Sequence, residues 1–546
     1  MSPATVRFEA ALESMGANEL RAFLREFSRK LEPRVRKRLQ EALLEYASKV
    51  SGWKASPPPS HMATRVEQFV ASARELGVAM PEKVDELLRE GNQAFRAGDM
   101  PATRAILGLL LRALSEAEFD LGQDETYDEV LTESLQDCAA RFLVAVYLTT
   151  PQPRRAETLL EALTSIETVG SFLEPLREME AVATSPLPEF DAFLPSWVSA
   201  LQHHHVPSGT QWERPGDWRL REAITRAEGT AGLERLAKST KQPDTLRAWC
   251  KSLVEHRQWK EALRAFEEAA SLVGSQLWRG EFLDGAALAT HELGHPDLTR
   301  RLATAWRTAP SLARLLRWLE AGAPSAAALK KRASLERTRP PTKSPRLMGV
   351  LDLVAEDFQS AAKRLAAAPG PDWSYDGHPG HVLFPAFVWL LGEAPVGTLR
   401  AELVAPLRHP PGPLSEVEEW EEELDNGLEE EPFEPELPRL ALPTPTLLSV
   451  LRRAELWRSL SPAKQKLLRD ALRMAAQARV KSVLREKHRR DYAHAARLVA
   501  CCVELEQAAG EAEVAGRWAA SVRAETKRFP AFQAELQQAL QPTQPG

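Results

Sequence analysis

The stretch from Leu246 to Ala270, LRAWCKSLVEHRQWKEALRAFEEAA, most constrains what this chain can fold into. It reads as two short helices joined by a tight turn at Arg257–Gln258. Ala262, Phe266 and Ala269 are spaced four and then three apart, so they share one helix face. Trp259 stands just before that face, where its ring can wedge the two helices apart. A hairpin of this kind cannot bury its apolar stripe alone and needs neighbours stacked on both sides.

The same arrangement recurs. LLREGNQAFRAGDMPATRAILGLLLRAL, residues 87–114, takes its turn from Gly98–Asp99, has Pro101 near the next helix start, and carries Ile106, Leu107, Leu110 and Leu111 as its apolar face. A third unit, residues 283–309, turns at Gly294–His295–Pro296–Asp297. Small and aromatic residues at this spacing look like the second half of a tetratricopeptide-type repeat. Ala, Leu, Glu and Arg dominate while Tyr, Val and Ile are scarce, which favours helix over strand. The expected fold class is all-α: a helical-hairpin repeat stack, a tetratricopeptide-like α-solenoid, with irregular joints.

Prolines and charge runs place those joints. The chain reads as an N-terminal helical segment (1–50), a Pro-rich linker (51–62), a first repeat block (63–183) and an irregular crossover (184–220). A second repeat block (221–322), a basic Pro-containing connector (323–346) and a helical segment (347–400) follow. An acidic Pro-rich excursion (401–445) and a C-terminal helical block (446–546) complete it.

A net charge of −6 over 546 residues gives the whole molecule no strong pull toward nucleic acid or anionic membrane. The first residues lack a basic start followed by an apolar block, and the most apolar run, Val382–Leu391, is interrupted by Pro385 and far short of a span. Cys138, Cys250, Cys501 and Cys502 are too scattered for a disulfide framework or a four-ligand zinc site. These features point to a soluble, cytoplasmic protein with no membrane association.

Four segments together resemble the helical region found beside SWIM-type zinc fingers in bacterial proteins. They are AFRAGDMPATRAILGLLLRAL with the helix containing Cys138, the repeat at 246–270, HPGHVLFP at His378–Pro385, and Val483–Trp518 followed by Phe529–Pro530. The resemblance implies helical architecture and an interaction role. The finger itself requires Cys-x-Cys with a later Cys-x-His, which no cysteine here supplies, so its role does not carry over.

The sharpest catalytic motif is His291, Glu292 and His295, which fit H-E-x-x-H, the zinc-protease pattern of two ligands one helical turn apart with a general base between. Gly294 and Pro296 argue for a helix stop instead, and Leu298–Ala309 offers no third ligand. His203, His204 and His205 lie in a Pro-rich loop, and His378 and His381 flank a turn expected to pack on Trp373 and Phe384. Basic clusters occur at Arg34/Arg36/Lys37/Arg38, Lys330–Arg346 and Arg485/Lys487/Arg489/Arg490, without interleaved aromatics to stack bases. No nucleophile or cofactor motif stands out, so no catalytic residue and no cofactor is expected.

The leading expectation is a non-enzymatic scaffold that binds a protein partner. Its candidate contact residues are Asn92, Gln93, Arg247 and Lys251 near the best repeats, and Trp420 and Phe433 in the acidic stretch. The alternatives are a nucleic-acid-associated factor using the basic clusters and, last, a zinc metalloprotease.

Overall fold

A computed structural model describes residues 15–31, 35–36, 39–40, 42–44, 46–47, 61–122, 127–169, 174–204, 214–368, 377–392, 398–411 and 442–541. The protein is all-helical. Among the described residues there is no strand, only an isolated parallel bridge between Val78 and Asp120. Two compact units divide the chain, Met1–Trp249 and Cys250–Gly546.

In the first unit, α1 (Ala17–Lys30) carries Leu20, Phe23, Leu24 and Phe27 at helical spacing, yet none of its residues is buried. Arg36 closes its C-terminal end by donating to the carbonyls of Ser28 (2.7 Å) and Arg29 (2.8 Å). The core begins at α2 (Met62–Leu76) and continues through α3 (Pro81–Ala97) and α4 (Met100–Ser115). Gly98 adopts φ +81° and Asp99 accepts the Ala102 amide at 3.1 Å, so the turn read from the sequence is a left-handed stop followed by a capped start.

After the short α5 (Tyr127–Val130), α6 (Leu135–Thr149) is apolar on nearly every side and lies at the centre, packed by α3, α4 and α7 (Arg155–Ser165). Gly108 is what lets α4 approach it, because a Cβ there would come within 2.7 Å of the Phe142 ring. The unit continues with α8 (Pro175–Val182), α9 (Phe190–His204) and α10 (Pro215–Thr240), the last broken at Gly229.

The stretch 184–220, expected to be an irregular crossover, is therefore corrected: it holds α9 and the start of α10. Phe193, Leu194, Trp197, Val198 and Leu201 are all buried from α9, and that burial outweighs the break Pro195 would otherwise make.

The boundary between units falls inside α11 (Pro243–Glu255), so it cuts the stretch 221–322 that the sequence presents as one block. The turn at Arg257–Gln258 is present, with Arg257 at φ +54° and the Gln258 amide bonded to Leu253 O at 2.9 Å. Trp259 does not wedge that hairpin. It is half-buried against a small cluster of Ala287, Leu288, Leu302 and Leu442.

The second unit opens with α12 (Trp259–Leu272), α13 (Gln276–Glu292), α14 (Leu298–Thr308) and α15 (Leu312–Glu320). It goes on through α16 (Ala326–Thr338), α17 (Pro345–Val354) and α18 (Phe358–Ala366). Each helix in this run packs on the next. Phe266 of α12 lies against Gly285 of α13, where any Cβ would overlap its ring. Next come α19 (Gly380–Leu390), α20 (Leu399–Val404) and α21 (Leu447–Arg453), then α22 (Pro462–Glu486), α23 (Tyr492–Ala508), α24 (Ala512–Glu525) and α25 (Pro530–Ala539). Here α23 is central, packed by α20, α22, α24 and α25.

The basic connector, 323–346, is also corrected. Most of it is α16, capped by Ser325 on the Ala328 amide at 3.3 Å, and three of its cations are engaged within the unit. Lys330 pairs with Glu356 (2.6 Å), Arg332 lies over the Trp318 ring (4.3 Å), and Arg337 meets Asp352 (2.8 Å). The linker residues 51–60 and the acidic run 416–436 lie outside the described residues.

Carboxylates, buried at Glu336, Asp352 and Glu506 and half-buried at Asp284, tie helices that the apolar core alone would leave free to slide. Asp284 of α13 receives Arg314 (2.8 Å) and Arg317 (3.2 Å) of α15. Glu336 of α16 accepts the Trp306 indole N–H (3.1 Å) and Arg307 (2.8 Å) of α14. Asp352 of α17 holds Arg337 of α16 and Arg364 of α18, the latter at 2.9 Å. Glu506 of α23 faces Arg469 (3.2 Å) and Arg473 (3.5 Å) of α22. A buried charge is tolerable only with such partners, so each lock fixes a register between helices.

Candidate functional site

His291, Glu292 and His295 do not share a helix face. The helix ends at Glu292, Gly294 adopts φ +60°, and the His295 amide bonds back to Thr290 O at 3.0 Å, which is a helix stop. His291, Glu292 and His295 are exposed, and the His295 ring instead accepts the Asp297 amide at 3.3 Å. Asp297 occupies the cap position of α14, but its carboxylate pairs with Arg300 at 2.5 Å rather than capping an amide. A continuous helix, which the protease geometry requires, is absent there. His203 bonds the Ser199 carbonyl (2.8 Å), His204 is exposed, and His205 lies outside the described residues.

The candidate partner-contact residues separate in the same way. Asn92 is 1% exposed; its amide donates to Glu133 at 2.9 Å, and Cys138 is its neighbour, so it braces α3 against α6 and cannot reach a partner. Gln93 is half-buried beside it. Arg247 pairs with Asp244 at 2.9 Å, while Lys251 is exposed and sits 3.7 Å from Glu255. Trp420 and Phe433 lie outside the described residues, as do Trp373, Arg34, Lys37 and Arg38.

What the structure does bring together is a polar cluster in the second unit, where α19, α22 and α23 meet. His378 is fully buried, and its Nδ1 accepts the Gly380 amide at 2.9 Å at the start of α19. The His381 ring stands edge-on to it, 6.1 Å between centroids. His494 of α23 lies in the field of His381 and of Arg479 of α22. Arg479 is buried and 3.4 Å from Asp491, which also stands 3.8 Å from His488. Ser482, three residues along the same helix, is buried with an Oγ that has no hydrogen-bond partner among the described residues. Above this cluster the turn from α22 to α23 is exposed.

Burial, and then the positive charge of Arg479, His381 and Arg497, pushes the His494 imidazole down to about 4, with Asp491 opposing. A histidine lowered in the fold binds its proton better when unfolded. His494 therefore stabilises the fold at pH above its ordinary value, and that contribution is lost as pH falls from about 6.5 toward 4. Urea midpoints of the wild type and His494→Gln, compared at about pH 5 and about pH 8, are expected to show a flatter pH dependence in the variant. Parallel curves would refute the assignment.

Glu222 of α10, in the first unit, behaves with the opposite sign. Its carboxylate accepts the Leu176 (3.1 Å) and Arg177 (2.7 Å) amides at the start of α8. Burial nevertheless pushes it up to about 7, against those two hydrogen bonds. A carboxyl raised in the fold adds stability below its ordinary value of 4.5, and this is lost as pH climbs toward 7. Glu222→Gln is expected to remove that loss; a variant with the wild-type pH slope would contradict it.

The four cysteines are all free and buried. Burial pushes each thiol up, Cys138 to about 12, so none offers a thiolate near neutral pH. Iodoacetamide is expected to leave all four unlabelled in the folded chain and to label them in urea. Rapid labelling of any one under native conditions would contradict the packing.

An open cleft of about 940 Å³ lies between α8 and α9, lined by Glu180, Thr184, Ser185, Phe190 and Asp191 among others. Its carboxylates Glu180 and Glu189 already face Arg226 (2.7 Å) and Arg155 (2.9 Å). Among the described residues no group of three His, Cys, Asp or Glu side chains is placed to hold a metal ion, and no helix is long and apolar enough to cross a membrane.

No family model matches the chain, and no curated protein matches it. The reading of the site therefore stands on its chemistry. His494 and Arg479 were not singled out in the sequence, because nothing near them marks them apart from other residues of amphipathic helices. The visible signal was His378 and His381, whose turn supplies the third side of the cluster.

Proposed function

We propose that the chain is a non-enzymatic scaffold, a tetratricopeptide-like stack of helical hairpins that engages another protein in a bacterial cytoplasm. The observation that carries this reading is the run from α12 to α18, in which each helix packs on the next and buried ion pairs fix the register. Helices that each pack on the next can present side chains from successive hairpins to one partner, which suits binding. The resemblance to helical regions beside SWIM-type fingers supports the same role.

A second reading, nucleic-acid association, is favoured by the exposed cations Lys487, Arg489 and Arg490. It predicts a steep loss of binding with salt.

The test is a tagged pull-down from the native cell at moderate salt, beside a Gly285→Val control that forces α12 from α13. One stoichiometric protein partner, lost in the control, supports the scaffold. Recovery of nucleic acid, removed by nuclease, replaces it with the second reading.

A further inference from the structure

The turn joining α22 to α23 brings exposed cations close together in the chain. On α16 and α22, Lys330, Arg337, Arg469 and Arg473 face carboxylates. Lys481, Lys487, Arg489 and Arg490 are exposed and make no ion pair among the described residues. Lys487 adopts φ +58°, which folds the chain back so that Arg489 and Arg490 follow at the tip.

Beneath this rim lies Arg479, buried, with Asp491 as its carboxylate neighbour at 3.4 Å. Ser482 shares its helix face and carries a buried hydroxyl with no acceptor among the described residues, although a buried helical serine can bond back to the preceding turn. Cations therefore run from the exposed tip into the interior, with a spare hydroxyl donor beside the deepest of them.

We propose that this turn is a phosphate-binding site for a phosphorylated segment of a protein partner. The inference rests on the scaffold reading and names the chemistry its partner presents. A phosphate monoester carries nearly two charges and three free oxygens on a protruding stem. It reaches past Arg489 and Arg490 to Arg479 and Ser482, and takes the place that Asp491 holds in the free chain. A duplex backbone presents singly charged diesters on a convex wall, which meets the rim but not the buried arginine, and the rim has no aromatic to stack unpaired bases.

Asp491 makes the proposal sharp. It sits at the cap position of α23 but bonds no amide there, so Asp491→Asn leaves the helix start intact. Removing its charge should tighten phosphate binding, whereas a purely structural partner of Arg479 would give unchanged or weaker binding.

The experiment uses the full chain and two fluorescent degenerate peptide pools, identical except for phosphoserine or serine at the centre, read by anisotropy. The phosphorylated pool is expected to bind about tenfold more tightly, to be displaced by inorganic phosphate, to weaken about tenfold in Arg489→Ala/Arg490→Ala, and to tighten in Asp491→Asn. Equal binding of the two pools, no binding, or indifference to the surface double variant overturns the proposal. Tighter binding of a short DNA duplex than of the phosphorylated pool overturns it in favour of nucleic acid. Failure here beside a stoichiometric partner in the pull-down removes the phosphate site and leaves the scaffold standing. An empty pull-down removes the scaffold itself.

Discussion

Replacing Asp284 with asparagine is expected to lower the stability of the second unit by about 3–5 kcal/mol. Among the described residues, Asp284 is the only carboxylate placed against both Arg314 (2.8 Å) and Arg317 (3.2 Å), and both arginines are less than a tenth exposed. Asparagine keeps the shape and removes the charge, leaving two cations out of water. Neither can swing to solvent, because Arg314 is also bonded to Ala309 O (2.9 Å) and Arg317 to Thr444 Oγ1 (2.7 Å). The second bond means that the segment after residue 441 should loosen too, visible as faster hydrogen exchange at the Leu442, Thr444 and Thr446 amides. Urea unfolding checks the energy: the midpoint should drop with little change in slope. A loss below about 1 kcal/mol would show that the lock is already screened by water.

Trp306→Ala is expected to cost a similar amount, about 3–5 kcal/mol, for a different reason. The ring is fully buried in the core of the second unit, and its N–H donates to Glu336 at 3.1 Å. Alanine leaves a cavity and removes one of the donors on a buried carboxylate. Trp306→Phe separates the two effects, since it keeps most of the bulk and removes the bond, and is expected to cost about 1–2 kcal/mol. If phenylalanine is as damaging as alanine, the hydrogen bond and not the packing holds α14 to α16.

These locks explain which parts of the molecule were legible beforehand. Turns were, because their chemistry is local: Gly98–Asp99 and Gly294–His295–Pro296–Asp297 carry their own stop and start signals. Two helices were hidden by composition. Prolines concealed α9, whose five buried side chains override them, and positive charge concealed α16, where Lys330 and Arg337 are answered by Glu356 and Asp352. Such partners lie far along the chain, 30 residues for Asp284 and Arg314 and 127 for Arg317 and Thr444, so no window of sequence contains both.

The histidine cluster was half legible for the same reason. His378 and His381 announce themselves three apart in a Gly–Pro turn, whereas His494 and Arg479 join them only through the packing of α22 and α23. Asn92 shows the converse error. A polar residue within a repeat looks available for a partner, but its neighbours Glu133 and Cys138 come from 41 and 46 residues away to enclose it.

The central claim is that the chain binds a protein and releases it unaltered. Hydrogen exchange of the full chain, with and without the partner recovered in the pull-down, joined to intact-mass analysis of that partner, tests this most directly. The account predicts protection spread over successive helices, the tip at Arg489–Arg490 included, and a partner of unchanged mass. A partner that leaves cleaved or covalently modified would contradict it and make the chain an enzyme.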